Sequence, residues 1–138
     1  MTTARDLMTA KPMTVPETAK VRRAVEILQE MEIRHLPVVN ATGELVGMLS
    51  DRDLRSLAIP WFAGREHTGE IRTALEARVS SLMSGDVISV QEETDVSEIV
   101  DLMLENKVGA LPVTDGDGAL VGIISYVDVL RAMARAAS

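Results

Sequence analysis

Two serines stand three residues ahead of two aspartates, Ser50 with Asp53 and Ser125 with Asp128. Each pair closes a run that opens on glycine: GMLSDRD from Gly47 and GIISYVD from Gly122. The hydroxyl can donate to a phosphoryl oxygen. The carboxylate, acceptor-only when ionised, can receive both hydroxyls of a ribose cis-diol, as the acidic residue of dinucleotide-binding folds does. The apolar residues before each serine read as a strand and those after it as a helix. That places the pair at a helix N-terminus, where N–H groups and a partial positive charge suit an anion. The same spacing has an architectural use. A serine N-cap with an acid at the third helical position is a variant of the capping box and stabilises a helix by about 1 kcal/mol. Glutamate or glutamine would serve a cap equally well, so aspartate at both places favours a role that fixes side-chain length. The two readings stand side by side on the sequence.

Other chemistry is scarce. With no cysteine there is neither a disulfide framework nor a thiolate ligand. His35 and His67 have no partner at metal-ligand spacing; His67 reads as a solvated loop residue and His35 as either cleft-lining or surface. Asp115-Gly-Asp-Gly begins like a calcium loop, but the sixth-position glycine and twelfth-position glutamate are missing, so a hairpin turn is expected and no metal. No nucleophile elbow or Gly-rich phosphate loop occurs, so no catalytic residue and no enzymatic activity are expected. The net charge of −7, with scattered Lys and Arg, argues against nucleic-acid binding. No stretch approaches the roughly eighteen apolar residues of a membrane span, and MTTARDLMTAKPMTV lacks a secretion-type apolar block, so a cytoplasmic protein is expected.

The elements that would position these residues occur twice. One gapless offset of 75 aligns Leu7-Met8 with Leu82-Met83, Val15 with Val90, Leu36-Pro37-Val38 with Leu111-Pro112-Val113, and Gly43 with Gly118, along with the glycines, serines and aspartates above. Each copy predicts an extended piece (Met13 to Val15; Val87 to Val90), then an amphipathic helix. Its apolar stripe is Val21, Ala24, Val25, Leu28 and Met31 in the first copy and Val96, Ile99, Val100 and Met103 in the second. LPVVN and LPVTD follow as strands, Asn40–Gly43 and Asp115–Gly118 as tight turns, and ELVGMLS and ALVGIIS as strands buried on both faces. The fold class is α/β (α+β): two pseudo-symmetric β-α-β-β-α repeats packed through their sheets, since one such unit alone buries too little. The repeats span 1–57 and 79–138. Residues 58–78 form a loop, Ala58 to Gly69, and a linking helix, Glu70 to Arg78. Met8, Met31, Met48, Met83 and Met103 are expected in the core, and Trp61-Phe62 as a core plug or a docking patch.

In order, spacing and repetition, Asp-Leu-Met and Ser-Leu-Met, RHLPVVN and GALPVTD, and GMLSDRD and GIISYVD, the chain resembles a tandem pair of CBS domains, the cystathionine β-synthase motif or Bateman module. The resemblance implies a regulatory module with two sites, in a cleft between the repeats, for an adenosine-containing ligand such as AMP, ADP, ATP or S-adenosylmethionine. No cofactor is required. Carried over, the first site comprises Met13, Thr14, Arg34, His35, Leu36, Pro37, Ser50, Arg52 and Asp53. The second comprises Ile88, Ser89, Gly109, Ala110, Leu111, Pro112, Ser125 and Asp128. The aspartates take ribose, the serines contact phosphate, and the remainder walls adenine. The resemblance also implies a homodimer, and output through a separate effector protein because no catalytic, channel or DNA-binding domain is attached. A ligand-free interaction scaffold is the alternative. Arg34, His35 and Arg52 give the first site positive charge that Gly109, Ala110 and Val127 do not supply, so the first site is expected to take the more anionic ligand, although Asp51 could offset Arg52.

Overall fold

Alternation and helical periodicity become elements in the expected order. The computed structural model describes residues 1–55 and 68–137. A short helix α1 (Ala4–Leu7) and β1 (Thr9–Ala10) lead into β2 (Val15–Pro16), α2 (Val21–Glu30), β3 (His35–Val39), β4 (Leu45–Ser50) and α3, helical over 51–55. After α4 (Thr68–Glu76) and a 3-10 turn (Val79–Ser81) come β5 (Val90–Gln91), α5 (Val96–Asn106), β6 (Ala110–Thr114), β7 (Leu120–Ser125) and α6 (Tyr126–Ala137). β-α-β-β-α thus occurs twice, as β2 to α3 and as β5 to α6. Among the described residues no helix is long and apolar enough to cross a membrane.

The chain forms two compact units, and both are interleaved in sequence. One comprises Met13–Thr42 and Val46–Val87; the other comprises Met1–Pro12, Gly43–Leu45 and Ile88–Ser138. The first carries the sheet β2-β3-β4, with β2 parallel to β3 through Val15 opposite Val38. Its core gathers Val15, Ala24, Ile27, Leu28, Leu36, Val38, Leu49 and Val79. The second carries β1-β7-β6-β5, with β5 parallel to β6 through Val90 opposite Val113 and β6 antiparallel to β7 through Ala110 opposite Ser125. Ala4, Val90, Ile99, Met103, Leu111, Val113, Ile124 and Val129 fill its core. The compact units therefore cut across the limits 1–57, 58–78 and 79–138 into which the sequence is divided above.

The interleaving comes from an exchange of leading segments. Thr9 of β1 stands opposite Ile123 of β7, and at the matching positions Ser84 stands opposite Met48 of β4. The Ala4 N–H donates to the Thr94 carbonyl at 2.8 Å, and the Val79 N–H to that of Ala19 at 2.7 Å. The repeated Leu-Met follows from this arrangement. A Cβ on Gly122 would lie 2.5 Å from the Met8 sulfur, and one on Gly47 closer still to that of Met83. Each glycine therefore leaves the width of a methyl group on its strand, and the methionine of the other repeat occupies it. Methionine suits such a slot, being unbranched and able to fill an irregular gap.

Several expectations are corrected. β4 and β7 are not buried on both faces: burial alternates, with Gly47 and Leu49 or Gly122 and Ile124 buried and their neighbours half-exposed, because each strand turns one face to the core of its unit. Met31 leaves the predicted stripe, being 51% exposed, because α2 ends at Glu30; Ile27 takes a core place beside Leu28. The chain leaves α2 and α5 through a left-handed residue, Glu32 (φ 53°) and Lys107 (φ 54°), at matching positions. The linking helix begins at Thr68, so Gly69 is helical instead of in the loop, and Glu76, not Arg78, ends it. Glu76 is held by Lys20 at 2.7 Å and Arg22 at 2.5 Å, which ties α4 to α2 and keeps its carboxylate below the usual range. β2 and β5 start at Val15 and Val90, later than the extended pieces expected. The two turns form as read, with Gly43 (φ 85°) and Gly118 (φ 86°) left-handed; Asp115 Oδ1 accepts from the N–H groups of Asp117 and Ala119. The expected loop up to His67, with Trp61-Phe62, lies outside the described residues.

Overfilling the slot gives a test. Gly122→Ala is expected to destabilise the protein by about 1–3 kcal/mol, the cost of overpacking a filled site. In urea unfolding, Gly122→Ala with Met8→Ala should lose less than the sum of the two single changes, since removing the side chain makes room for the methyl. Strict additivity would refute the contact.

Candidate functional site

Each Ser-x-x-Asp sits where a core strand turns into a helix, and main-chain hydrogen bonds fix the turn. The Asp51 N–H donates to the Arg34 carbonyl at 2.9 Å, and the Tyr126 N–H to the Gly109 carbonyl at 2.9 Å. The first helical residue is thus tied to the residue just before the Leu-Pro-Val strand. Around it both serine–aspartate pairs close as full capping boxes. The Ser50 N–H reaches Asp53 Oδ2 at 2.8 Å, its hydroxyl the same oxygen at 3.2 Å, and the Asp53 N–H returns to Ser50 Oγ at 3.3 Å. The corresponding distances for Ser125 and Asp128 are 2.8, 3.1 and 3.3 Å. All four side chains are half-buried.

The helix-start amides are accordingly not all open to an anion: those of the first and third helical residues already donate within the chain. The capping reading is therefore realised in both copies. It is also realised a third time. Thr3 and Asp6 make the same box at the start of α1, N–H to Oδ2 at 2.9 Å and hydroxyl at 3.2 Å, and the Thr3 N–H holds the Asp6 carboxyl below its ordinary value. Box geometry by itself does not mark a ligand site. What sets Ser50 and Ser125 apart is their place at the end of a core strand, tied to the start of another, with additional side chains converging in one copy.

That copy is the first. His35 opens β3 and is half-buried; burial pushes its imidazole below the usual histidine value, against the pull of Asp51 and Asp53 and with the push of Arg34 and Arg52. Arg34 and Arg52 are exposed. Asp51 leans toward Arg55, at 3.8 Å, so its charge has a partner other than Arg52. Arg55 was absent from the expected site; the Asp51/Arg55 spacing of four on a helix is the signal that could have found it. At the matching positions the second copy has Gly109, Ala110, Tyr126, Val127 and Leu130, with Asp128 alone charged.

The residues carried over as an adenine wall divide in two. Leu36 and Leu111 are core residues, and Pro37, Pro112 and Ala110 are buried with them. Met13 is 42% exposed and Thr14 half-buried, just ahead of β2. Ile88 packs against its core at the corresponding place before β5, and Ser89 is exposed. Within each unit the pre-strand residues, the strand start at 34–35 or 109–110, and the serine–aspartate box are carried by elements of one sheet and its helix.

This doubled strand-turn-helix arrangement defines the class. The CBS domain family model matches residues 4–59 and 79–135, and the chain belongs to the CBS domain family. An uncharacterised protein of Methanocaldococcus jannaschii is 31% identical over 128 residues, covering 92% of this chain and 44% of that protein. The chloroplastic CBS domain-containing protein CBSX1 of Arabidopsis thaliana is 33% identical, covering 96% and 61%. The chain thus spans about half the length of these relatives. Among solved structures, CBSX2 of Arabidopsis thaliana in complex with AMP superposes with a TM-score of 0.84 at 31% identity, covering 100% of both chains. A CBS-domain containing protein of Agrobacterium tumefaciens reaches 0.79 at 25% identity, covering 95% and 92%.

The boxes make a stability prediction that needs no ligand. Ser50→Ala and Ser125→Ala should each destabilise the protein by about 1 kcal/mol, the usual cost of losing a serine cap. Chemical denaturation measures this; a change indistinguishable from zero would mean that the boxes hold nothing in place.

Proposed function

We propose that the chain is a regulatory module that binds an adenosine-containing ligand at its two serine–aspartate boxes. The observation that carries the reading is the match along its full length to a protein solved with AMP, combined with a box at the same strand end in both repeats. A carboxylate has about four acceptor positions and the box at Asp128 draws on two of them, so capping and holding a ribose diol are compatible there. The cap then pre-sets the carboxylate before ligand arrives. Ser50 and Ser125 lie beside it for a phosphate, and Met13-Thr14 and Ile88-Ser89 for the base. Regulation requires a ligand that binds two arrangements of the module unequally, with the change read by a separate effector protein or by a second copy. S-adenosylmethionine belongs to the same ligand class as the adenine nucleotides in this reading.

A melting-temperature panel of adenosine, AMP, ADP, ATP and S-adenosylmethionine tests it. A ligand at 100 times its dissociation constant adds about 2.7 kcal/mol of stability. Asp53→Ala and Asp128→Ala should each weaken that gain, and the pair together should abolish it. No shift with any compound would leave the interaction scaffold, a reading favoured by the Thr3–Asp6 box, which shows that this geometry arises as a cap alone.

In this reading a second copy docks on α6. Tyr126, Leu130 and Met133 recur at helical spacing and are 45%, 56% and 59% exposed, and Leu104 on neighbouring α5 is 71% exposed. The matching positions in α3 hold Asp51 and Arg55, so the apolar face belongs to one repeat. Light scattering after size exclusion is expected to give twice the chain mass for the wild type and a monomer for Leu130→Glu with Met133→Glu; a monomeric wild type sinks the homodimer.

A further inference from the structure

The first box lies in a cluster of charge that its duplicate lacks. Around His35 stand Arg34 from the residue before β3 and Asp51, Arg52 and Asp53 from α3, with Arg55 on Asp51. Three arginines thus face two aspartates, while the second copy offers one aspartate and no cation at the same positions. The backbone beneath is the same in both, since the N–H at 51 or 126 reaches the carbonyl at 34 or 109 at 2.9 Å in each. The difference therefore lies in side chains that the fold does not require. Resting on the adenosine-ligand reading, we infer that His35 is the residue by which the first site distinguishes polyphosphates from nucleosides, its imidazole taking up a proton as the phosphates bind.

The argument is electrostatic. A half-buried imidazole with Arg34 and Arg52 nearby holds a proton less readily than a free one: burial disfavours its charged form and the arginines add to that, against the pull of Asp51 and Asp53. A phosphate chain beside Ser50 brings negative charge next to the ring and partly neutralises both arginines, so the terms holding the proton off reverse. The proton bound on the imidazole then strengthens the grip on phosphate, and affinity rises as pH falls. A nucleoside carries no such charge and leaves the ring as it was. Ala110 removes the proton site from the second copy, which is then indifferent to pH.

The chain has two histidines, so proton NMR of the imidazole carbons follows each directly, and the His35→Gln spectrum assigns them. The full chain is titrated with pH when free, and when saturated with adenosine, AMP or ATP. ATP is expected to raise the His35 pKa by about one unit, equivalent to about tenfold tighter binding to the protonated form. AMP should raise it less and adenosine not at all. The terminal phosphate of ATP titrates near pH 6 itself, so affinity is read as the wild-type to His35→Gln ratio at each pH, which should grow toward acid. Arg52→Val, the residue of the second copy, should narrow the preference for ATP over adenosine. If ATP binds while the His35 pKa stays put, or if adenosine moves it equally, the inference falls and the adenosine reading stands. If none of the three binds the inference falls, and if S-adenosylmethionine and ADP fail as well the adenosine reading falls with it.

Discussion

The whole arrangement depends on two glycines, Gly47 and Gly122, each overlaid by a methionine from the opposite repeat. The contact places Met83 on β4 and Met8 on β7, so the closing strand of each repeat is finished only when the leading segment of the other lies beside it. The buried Ala4 and Val79 belong to those segments and complete the two cores. Because the exchange is reciprocal, neither repeat has a complete sheet and core of its own. A gene duplication that kept the two copies merely adjacent would not need the Leu-Met sequence or the glycines; one in which each copy completes the other needs both, at a fixed offset.

From those strands the path to the site is short. β4 and β7 end at Ser50 and Ser125, and the next N–H pins the helix to the carbonyl before β3 or β6. The strand that receives the methionine is therefore the same strand that sets the serine and aspartate. Overfilling the slot at Gly47 would push on a strand whose end lies three residues away. This is a mechanical reason for the glycine and the serine–aspartate pair to occur as one unit in the sequence.

Much of this was legible beforehand because it is periodic or duplicated. The element order, the caps at Ser50 and Ser125, and the left-handed turns at Gly43 and Gly118 all follow from residue types at fixed spacing. What was not legible is non-local. No pattern within one repeat says that Met8 packs on Gly122, and the glycines enter the sequence reading only as the residues that open each closing run. Burial on both faces of β4 and β7 was misjudged because a run such as LVGML is apolar throughout, and only its pairing decides which face meets the core. Met31 was misplaced because the helical stripe was extended past Glu30, where α2 ends. The capping geometry was readable, yet its discriminating value was not: the box at Thr3 and Asp6 is needed to see that the same atoms serve a purely structural end.

Duplication also supplies a control that a single domain lacks. Hydrogen bonds that hold the frame are matched between the copies to within a few tenths of an ångström, so the fold requires of positions 34, 35, 51, 52 and 55 only their main chain. At these positions one copy carries arginine, histidine and aspartate, and the other glycine, alanine and apolar side chains. Stability does not demand the charges, because the second copy folds the same turn without them. Nor does it demand the exposed apolar face, because α3 begins with Asp51 and Arg55 where α6 has Tyr126 and Leu130. The frame is common to both copies and the surface chemistry is specific to each, so the functional difference between the repeats has to be sought in those side chains and not in the fold.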